Sequence, residues 1–165
     1  MRLAVISTLA FALAASIPAW ATVSSDDASF VQSAQQDVLG NYALASLARG
    51  KAQDPSAKAL ADQVASNAAQ ASIFIKAYAK KNGVTLESQP SIHASNQYSN
   101  ISSEKGPAFD KGFAQAIYVD TNMSLDTYKD EATSGNDPAL REFAKKQVAA
   151  MQQYAKTAQK LAPPQ

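Results

Sequence analysis

The sequence predicts an all-α protein, a four-helix bundle. Apolar residues recur every three or four positions through four long segments, which is the spacing of one helix face. No stretch of useful length alternates with the period of two that a half-buried strand requires, and β-branched residues are sparse. Helices of this kind bury their apolar stripes against one another in a bundle.

The first helix is predicted from about Asp26 to Arg49. The stretch "SSDD" before it supplies an N-cap and first-turn acids, and Gly50 follows as a stop signal. Its apolar face contains Phe30, Ala34, Val38, Leu44, Ala45, Leu47 and Ala48.

The second helix begins with Asp54 as its N-cap and Pro55 at the first helical position, where the missing N–H costs nothing. It continues to Asn82 and ends at Gly83, a residue that readily takes a positive φ. Its apolar face contains Ala57, Leu60, Val64, Ala71, Phe74 and Tyr78.

Residues 84–106, "VTLESQPSIHASNQYSNISSEKG", are rich in Ser, Asn and Gln and predict mostly a surface connection, part of which can be helical. This segment contains His93, the single histidine, which is interpreted as a solvated loop side chain. Helix connections in bundles usually take about 2–8 residues, whereas an extended segment of this length reaches up to about 76 Å. One long crossover between helices two and three, the ferritin-like arrangement, is therefore predicted, and an up-down-up-down bundle is the alternative.

The third helix is predicted from near Pro107 to about Thr133 and the fourth from Pro138, after Asp137 as N-cap, to the Pro163-Pro164 pair. The inward positions of the third are Phe113, Ile117, Leu125 and Tyr128, and those of the fourth are Leu140, Ala144, Val148, Met151, Ala158 and Leu161.

The starts of the second and fourth helices resemble each other. "DPSAKALADQVASN" begins at Asp54 and "DPALREFAKKQVAA" at Asp137, 83 positions later (137 minus 54). Two explanations stay open: an internal duplication of a helical hairpin, and independent use of Asp-Pro as a helix start.

The N-terminus predicts a cleaved secretory signal over residues 1–21. Arg2 precedes an uncharged apolar run from Leu3 to Ile17, and Ala19-Trp20-Ala21 fits a small-x-small cleavage site. The run is short for a membrane span, which needs about 20 residues, and an uncleaved anchor is the alternative. A periplasmic or secreted location is expected, and the absence of cysteine suits an oxidising compartment.

The mature chain, residues 22–165, has the size of one domain. The sequence contains 15 basic and 14 acidic residues, and the signal holds one of the basic residues. This balance gives no reason to expect nucleic acid as a partner. No transmembrane span is expected after cleavage, and a protein partner or a small ligand remains open.

Each apolar stripe is interrupted once by a residue that is not purely apolar. The four positions are predicted to lie at similar heights in a crossover bundle, and they are Asn41, Asn67, Thr121 and Tyr154. Amides, a hydroxyl and a phenol are poor ligands for iron, manganese or zinc, so neither a metal nor another cofactor is expected. A hydrogen-bonded interior cluster is the favoured interpretation, and a polar pocket for a small ligand is the alternative.

The mature chain resembles the bacterial exported "domain of unknown function 4142" family, which is grouped with ferritin-like bundles. The resemblance rests on "FVQSAQ" at Phe30, "LASLARGKAQDPSAKALADQV" in the first hairpin, "KNGVTL" at Lys81, "AFDKGFAQA" at Ala108 and "SGNDPALREFAKK" before and in the last helix. It implies a ferritin-like fold and an exported location, and it implies no settled activity.

The resemblance also implies a site. Members typically carry Glu in the first helix and His in each of the others, in phrases similar to "MVxDH", "FDxxYxxxxxxxH" and "LPxLxxH". Those positions are occupied here by Asn41, Asn67, Thr121 and Tyr154, while Phe113 and Ala149 replace a Tyr and a Pro of the phrases. If the Glu and His side chains bind metal in relatives, every ligand is replaced in this chain.

Three functions follow as hypotheses. The first is a non-catalytic exported bundle with a structural or partner-binding role in the cell envelope, since no nucleophile–base pair is evident and no catalytic residue is predicted. The second is a metal- or oxygen-handling protein that uses carboxylates, for which Asp37 and Asp120 adjoin the inner stripes. The third is a binder of a small ligand in the bundle core.

Overall fold

The computed structural model describes residues 23–163, and it confirms the predicted all-α class. Five helices and no strand occur in this range, and none of these helices is long and apolar enough to cross a membrane. The predicted signal, residues 1–21, lies outside the described residues. The helices are α1 (Ser25–Lys51), α2 (Pro55–Asn82), α3 (Ile92–Ser102), α4 (Gly106–Ser134) and α5 (Pro138–Leu161).

The predicted start signals and the stop at Gly83 act where they were expected, whereas Gly50, the predicted stop of the first helix, lies inside α1, which ends at Lys51. The Asp54 carboxylate caps α2 by accepting hydrogen bonds from the backbone N–H groups of the next turn, and Asp137 caps α5 in the same way. Gly83 ends α2 with a left-handed φ of 69°, a conformation that favours glycine. The bounds of α2 therefore agree with the prediction, and those of α1 and α4 extend by one or two residues.

The four long helices form two antiparallel hairpins, α1–α2 and α4–α5. Contacts between the hairpins give their relative direction: Asp110 at the start of α4 meets Gln53 between α1 and α2, and Asn136 after α4 meets Asp27 at the start of α1. The helix α4 is thus antiparallel to α1 and parallel to α2. The chain between α2 and α4 must run the length of the bundle, so the predicted long crossover is confirmed.

The crossover contains more ordered structure than a surface connection. Helix α3 starts after Ser91, whose hydroxyl caps it. Its two buried residues, Ala94 and Ile101, pack against α1 and α4. Each of them faces a glycine of the bundle. A Cβ at Gly40 would lie 2.6 Å from the Cβ of Ala94, and one at Gly112 would lie 3.2 Å from Ile101. The two glycines therefore permit the close approach of α3 to the bundle.

The apolar interior consists of two neighbouring clusters. One surrounds the stacked rings of Phe109 and Phe113 near the α1–α2 turn. The other contains Phe30 and Phe143, whose rings meet edge to face near the α4–α5 turn. Residues of both clusters, among them Val64 and Met151, line a single cavity. The cavity thus lies where the two clusters meet, in the middle of the bundle.

The two hairpins hold each other's turns through buried carboxylates. Asp110 accepts hydrogen bonds from the backbone N–H groups of Gln53 (3.0 Å) and Asp54 (2.8 Å), and Asp27 accepts one from that of Asn136 (3.0 Å). Asp27 and Asp110 are 83 positions apart, as are Gln53 and Asn136 and the two Asp-Pro starts. The repeat seen in the sequence therefore coincides with a reciprocal arrangement in the fold, which supports an internal duplication.

We expect loss of either carboxylate to destabilise the fold. In Asp110→Ala, two part-buried backbone N–H groups lose a charged acceptor, and the free energy of unfolding should fall by about 2–4 kcal/mol. Asp27→Ala should have a smaller effect because it removes fewer backbone bonds. Denaturant unfolding followed by circular dichroism measures both.

The exposed Asp126, paired with Lys129 on the surface, provides the control. Asp126→Ala should change the free energy of unfolding by no more than about 0.5 kcal/mol. Equal effects of Asp110→Ala and Asp126→Ala would contradict the role of the buried carboxylate.

Candidate functional site

The candidate site is a cavity of about 90 Å³ in the middle of the bundle. It is lined by residues of all four long helices and by the first turn of α3. Its polar side chains converge from these elements, and they are Asp37, Asn41, Asn67, Ser91, His93, Asp120, Ser124, Gln147 and Tyr154. The apolar part of the wall includes Val38, Val64, Ala68 and Met151. An apolar wall with a few convergent polar groups is the usual character of a small-ligand site.

Two carboxylates occupy related positions in the cavity wall. Asp37 lies on α1 and Asp120 on α4, and they are 83 positions apart, like the turn-holding pair Asp27 and Asp110. The repeat thus places one carboxylate of each hairpin at the cavity. The polar wall therefore contains more than the four predicted interruptions: Asp37 lies one helical turn before Asn41, and Asp120 immediately precedes Thr121.

Burial alters the chemistry of both carboxyl groups. Desolvation raises the pKa of Asp37 to about 6; the Ser124 side chain lowers it in part, and the charge of Asp120 adds to the rise. Desolvation also raises the pKa of Asp120, although His93 and Gln97 on α3 oppose the effect. At neutral pH the cavity therefore contains carboxylate charge that the protein solvates incompletely.

His93 lies beside Asp120 rather than in a solvated loop. Its Nε2 atom is 2.9 Å from Oδ1 of Asp120, and its side chain is 43% exposed. The two atoms are at ion-pair distance, yet no side chain of the described residues donates an aligned hydrogen bond to this buried Oδ1 atom. The prediction that His93 lies in a loop was wrong because α3 docks its first turn on the bundle, whereas the predicted exposure of its side chain to solvent agrees with the structure.

Three of the four predicted interior positions line the cavity, namely Asn41, Asn67 and Tyr154. Thr121 is buried at 3% exposure, yet it is not part of the cavity wall. Asn67 donates a hydrogen bond from Nδ2 to Oε1 of Gln147 (2.7 Å). Among the hydrogen bonds of residues 23–163, none joins two of the four predicted positions.

Sequence reasoning missed Ser124 and Gln147 as parts of the site. Ser124 stands 83 positions after Asn41, so the repeat itself could have indicated it. Gln147 follows Lys145 and Lys146 in α5, and from the sequence it looks like part of the solvated face. Only its contact with Asn67 of the other hairpin gives it an interior role.

The donor set does not suit a transition metal. Within the part of the chain that the structure describes, no group of three or more His, Asp or Glu side chains is arranged to hold an ion. Amide and phenol groups, which make up much of the polar wall, are weak ligands for such metals. The cavity is better suited to hydrogen bonding and charge pairing than to metal coordination.

Comparison with known proteins gives one match. The family model described as "Domain of unknown function (DUF4142)" matches residues 12–161. No curated protein and no solved structure matches the chain. The matched region spans all five helices, so both the bundle and its cavity fall within the family domain.

The burial of Asp37 predicts how the stability of the fold depends on pH. Its pKa in the folded state lies above the ordinary value of 3.8, so the folded state holds the proton more tightly and the free energy of unfolding falls as pH rises from about 4 to 6. Asp37→Asn removes this cost. It should raise the free energy of unfolding at pH 8 by up to about 3 kcal/mol and have little effect near pH 4.

Denaturant unfolding at the two pH values tests this expectation. Asp62→Asn, on the exposed face of α2, is the control, since Asp62 pairs with Arg49 at the surface. A stabilisation by Asp37→Asn that is the same at both pH values, or that Asp62→Asn reproduces, would contradict a buried charge at Asp37.

Proposed function

The chain belongs to the DUF4142 family, and we propose that it is an exported, non-catalytic helical bundle that binds a small polar ligand in its interior cavity. The observation that carries the proposal is the convergence of polar side chains from both hairpins and from α3 on one cavity. Polar groups buried in a core are costly unless they have partners. A ligand that hydrogen-bonds to them would supply those partners.

The size of the cavity limits the ligand. A dry cavity of about 150 Å³ accommodates benzene, which has six non-hydrogen atoms. The present cavity of about 90 Å³ accommodates a molecule, or the end group of a longer molecule, with about four non-hydrogen atoms. The ligand can enter from the side near α3 and α4, because two residues of the cavity wall there are exposed to solvent. Met123 is 61% exposed and His93 is half-exposed.

The arrangement of side chains favours binding over catalysis. Among the hydrogen bonds of the described residues, no Ser or Thr hydroxyl is paired with the imidazole of His93, so the chain lacks an activated hydroxyl nucleophile there. Within residues 23–163 no three His, Asp or Glu side chains are arranged to hold a metal ion, which also argues against the metal- or oxygen-handling hypothesis. Export rests on the signal-like N-terminus, residues 1–21.

Filling the cavity should abolish binding. Ala68 is buried in the wall, and in Ala68→Leu the added atoms occupy the space of the ligand. A set of small polar compounds that includes cations, neutral molecules and anions is screened against the purified protein by ligand-observed NMR. We expect at least one compound to bind the unaltered protein and to lose at least about tenfold in affinity in Ala68→Leu, a change of about 1.4 kcal/mol.

Ala69→Leu is the matched control, because the neighbouring residue faces solvent on the same helix. It should leave binding unchanged. Ser124→Leu fills the cavity from α4 and serves as a second variant if Ala68→Leu does not fold. If no compound distinguishes the cavity-filling variants from Ala69→Leu, the cavity is not a binding site and the proposal is wrong.

A further inference from the structure

We propose that the ligand of the cavity is a small organic cation, a primary ammonium or guanidinium group held between the carboxylates of Asp37 and Asp120. This inference rests on the ligand-binding function proposed above and specifies its chemistry. It follows from the charge of the cavity wall, from the balance of donors and acceptors, and from the absence of a metal-coordinating geometry among the described residues.

The charge of the wall is the first argument. Two carboxylates line the cavity, and among residues 23–163 no Lys or Arg side chain lines it. The pKa of Asp37 is raised by burial and by repulsion from Asp120. The negative charge of Asp37 is therefore only partly balanced by its surroundings. A cation between the two groups would replace the solvation that they lose in the core.

Free acceptors are the second argument. Asn67 uses its Nδ2 atom to donate to Gln147, which leaves its carbonyl oxygen available. Oδ1 of Asp120 is buried, and within the described residues it accepts no aligned hydrogen bond, although Nε2 of His93 lies 2.9 Å away. Ammonium and guanidinium groups carry several N–H donors and no acceptor, so they complement a wall of this kind. Guanidinium also pairs with carboxylates through two parallel hydrogen bonds.

The form of the site favours an organic cation over a metal ion. The two carboxylates have no third acidic or histidine ligand in a metal-binding arrangement within the described residues. Apolar side chains, among them Val38 and Met151, complete the wall, and they suit the carbon atoms of an organic ligand. The volume of about 90 Å³ is larger than a bare ion requires and agrees with a group of about four non-hydrogen atoms.

Binding should strengthen as the pH rises. Asp37 on α1 is the titrating group, and the other titratable groups at the cavity are Asp120 and Tyr128 on α4, His93 on α3 and Tyr154 on α5; α2 contributes only Asn67 to the polar wall. Protonation of Asp37 removes a negative charge. Cation binding should therefore weaken below about pH 6.

Guanidinium and urea provide the test, since they have the same planar shape and size and differ in charge. Each is titrated at millimolar concentration, far below denaturing levels, into the purified protein at pH 7.5. Chemical-shift changes of the side-chain amides of Asn41, Asn67 and Gln147 report binding. We expect guanidinium to bind at least about tenfold more tightly than urea, and its affinity to fall at least about tenfold at pH 5.

The double variant Asp37→Asn/Asp120→Asn tests the source of this preference, and it should reduce the affinity for guanidinium at least about tenfold. Asp62→Asn/Asp126→Asn changes the net charge equally at exposed positions and should change the affinity less than about twofold. Methylammonium, Mn²⁺ and Zn²⁺ are measured alongside. Methylammonium should bind like guanidinium, and the metal ions should not compete with it.

The outcomes separate the two proposals. Equal binding of guanidinium and urea, or tight binding of a metal ion in the cavity, would overturn the proposal of an organic cation. The cavity would remain a ligand site. Unchanged guanidinium affinity in the cavity double variant would also overturn it. If neither the cationic, the neutral nor the anionic compounds bind in the cavity, both the cation and the ligand-binding function are wrong.

Discussion

The burial of two carboxylates in the middle of a helical bundle is the constraint on which the site depends. Asp37 and Asp120 lose much of their hydration there, and the pKa of each is raised by desolvation. A bundle could fill this space with apolar side chains at lower cost. The fold instead surrounds the two acids with amides, hydroxyls, phenols and an imidazole, an arrangement that offers charge and hydrogen bonds to a ligand.

The internal repeat explains how the two acids come to face one cavity. Each hairpin carries an acid near its start that holds the turn of the other hairpin, Asp27 in one and Asp110 in the other. A second acid follows ten residues later in both, which gives Asp37 and Asp120. Because the hairpins pack reciprocally, equivalent positions converge on the middle of the bundle. The crossover through α3 then closes one side with His93.

The parts of this structure that depend on local signals could be predicted from the sequence. Asp-Pro starts, Gly83 and the apolar stripes determine the long helices, and the length of the connection indicates the crossover. Helix α3 was harder to predict because it docks through only Ala94 and Ile101, and its fit depends on glycines in distant helices. The roles of Asp120 and Gln147 depend on helix rotation and on partners from other elements, which periodicity alone does not provide.

The most direct test of this account is a titration of the Asp37 carboxyl carbon by NMR in the folded protein. The account predicts a midpoint near pH 6, with a further response of the same signal as Asp120 ionises, because the two charges share one poorly solvated space. A single midpoint near pH 4, the value of an aspartate in water, would show that the carboxyl group is hydrated and would contradict a charged interior cavity.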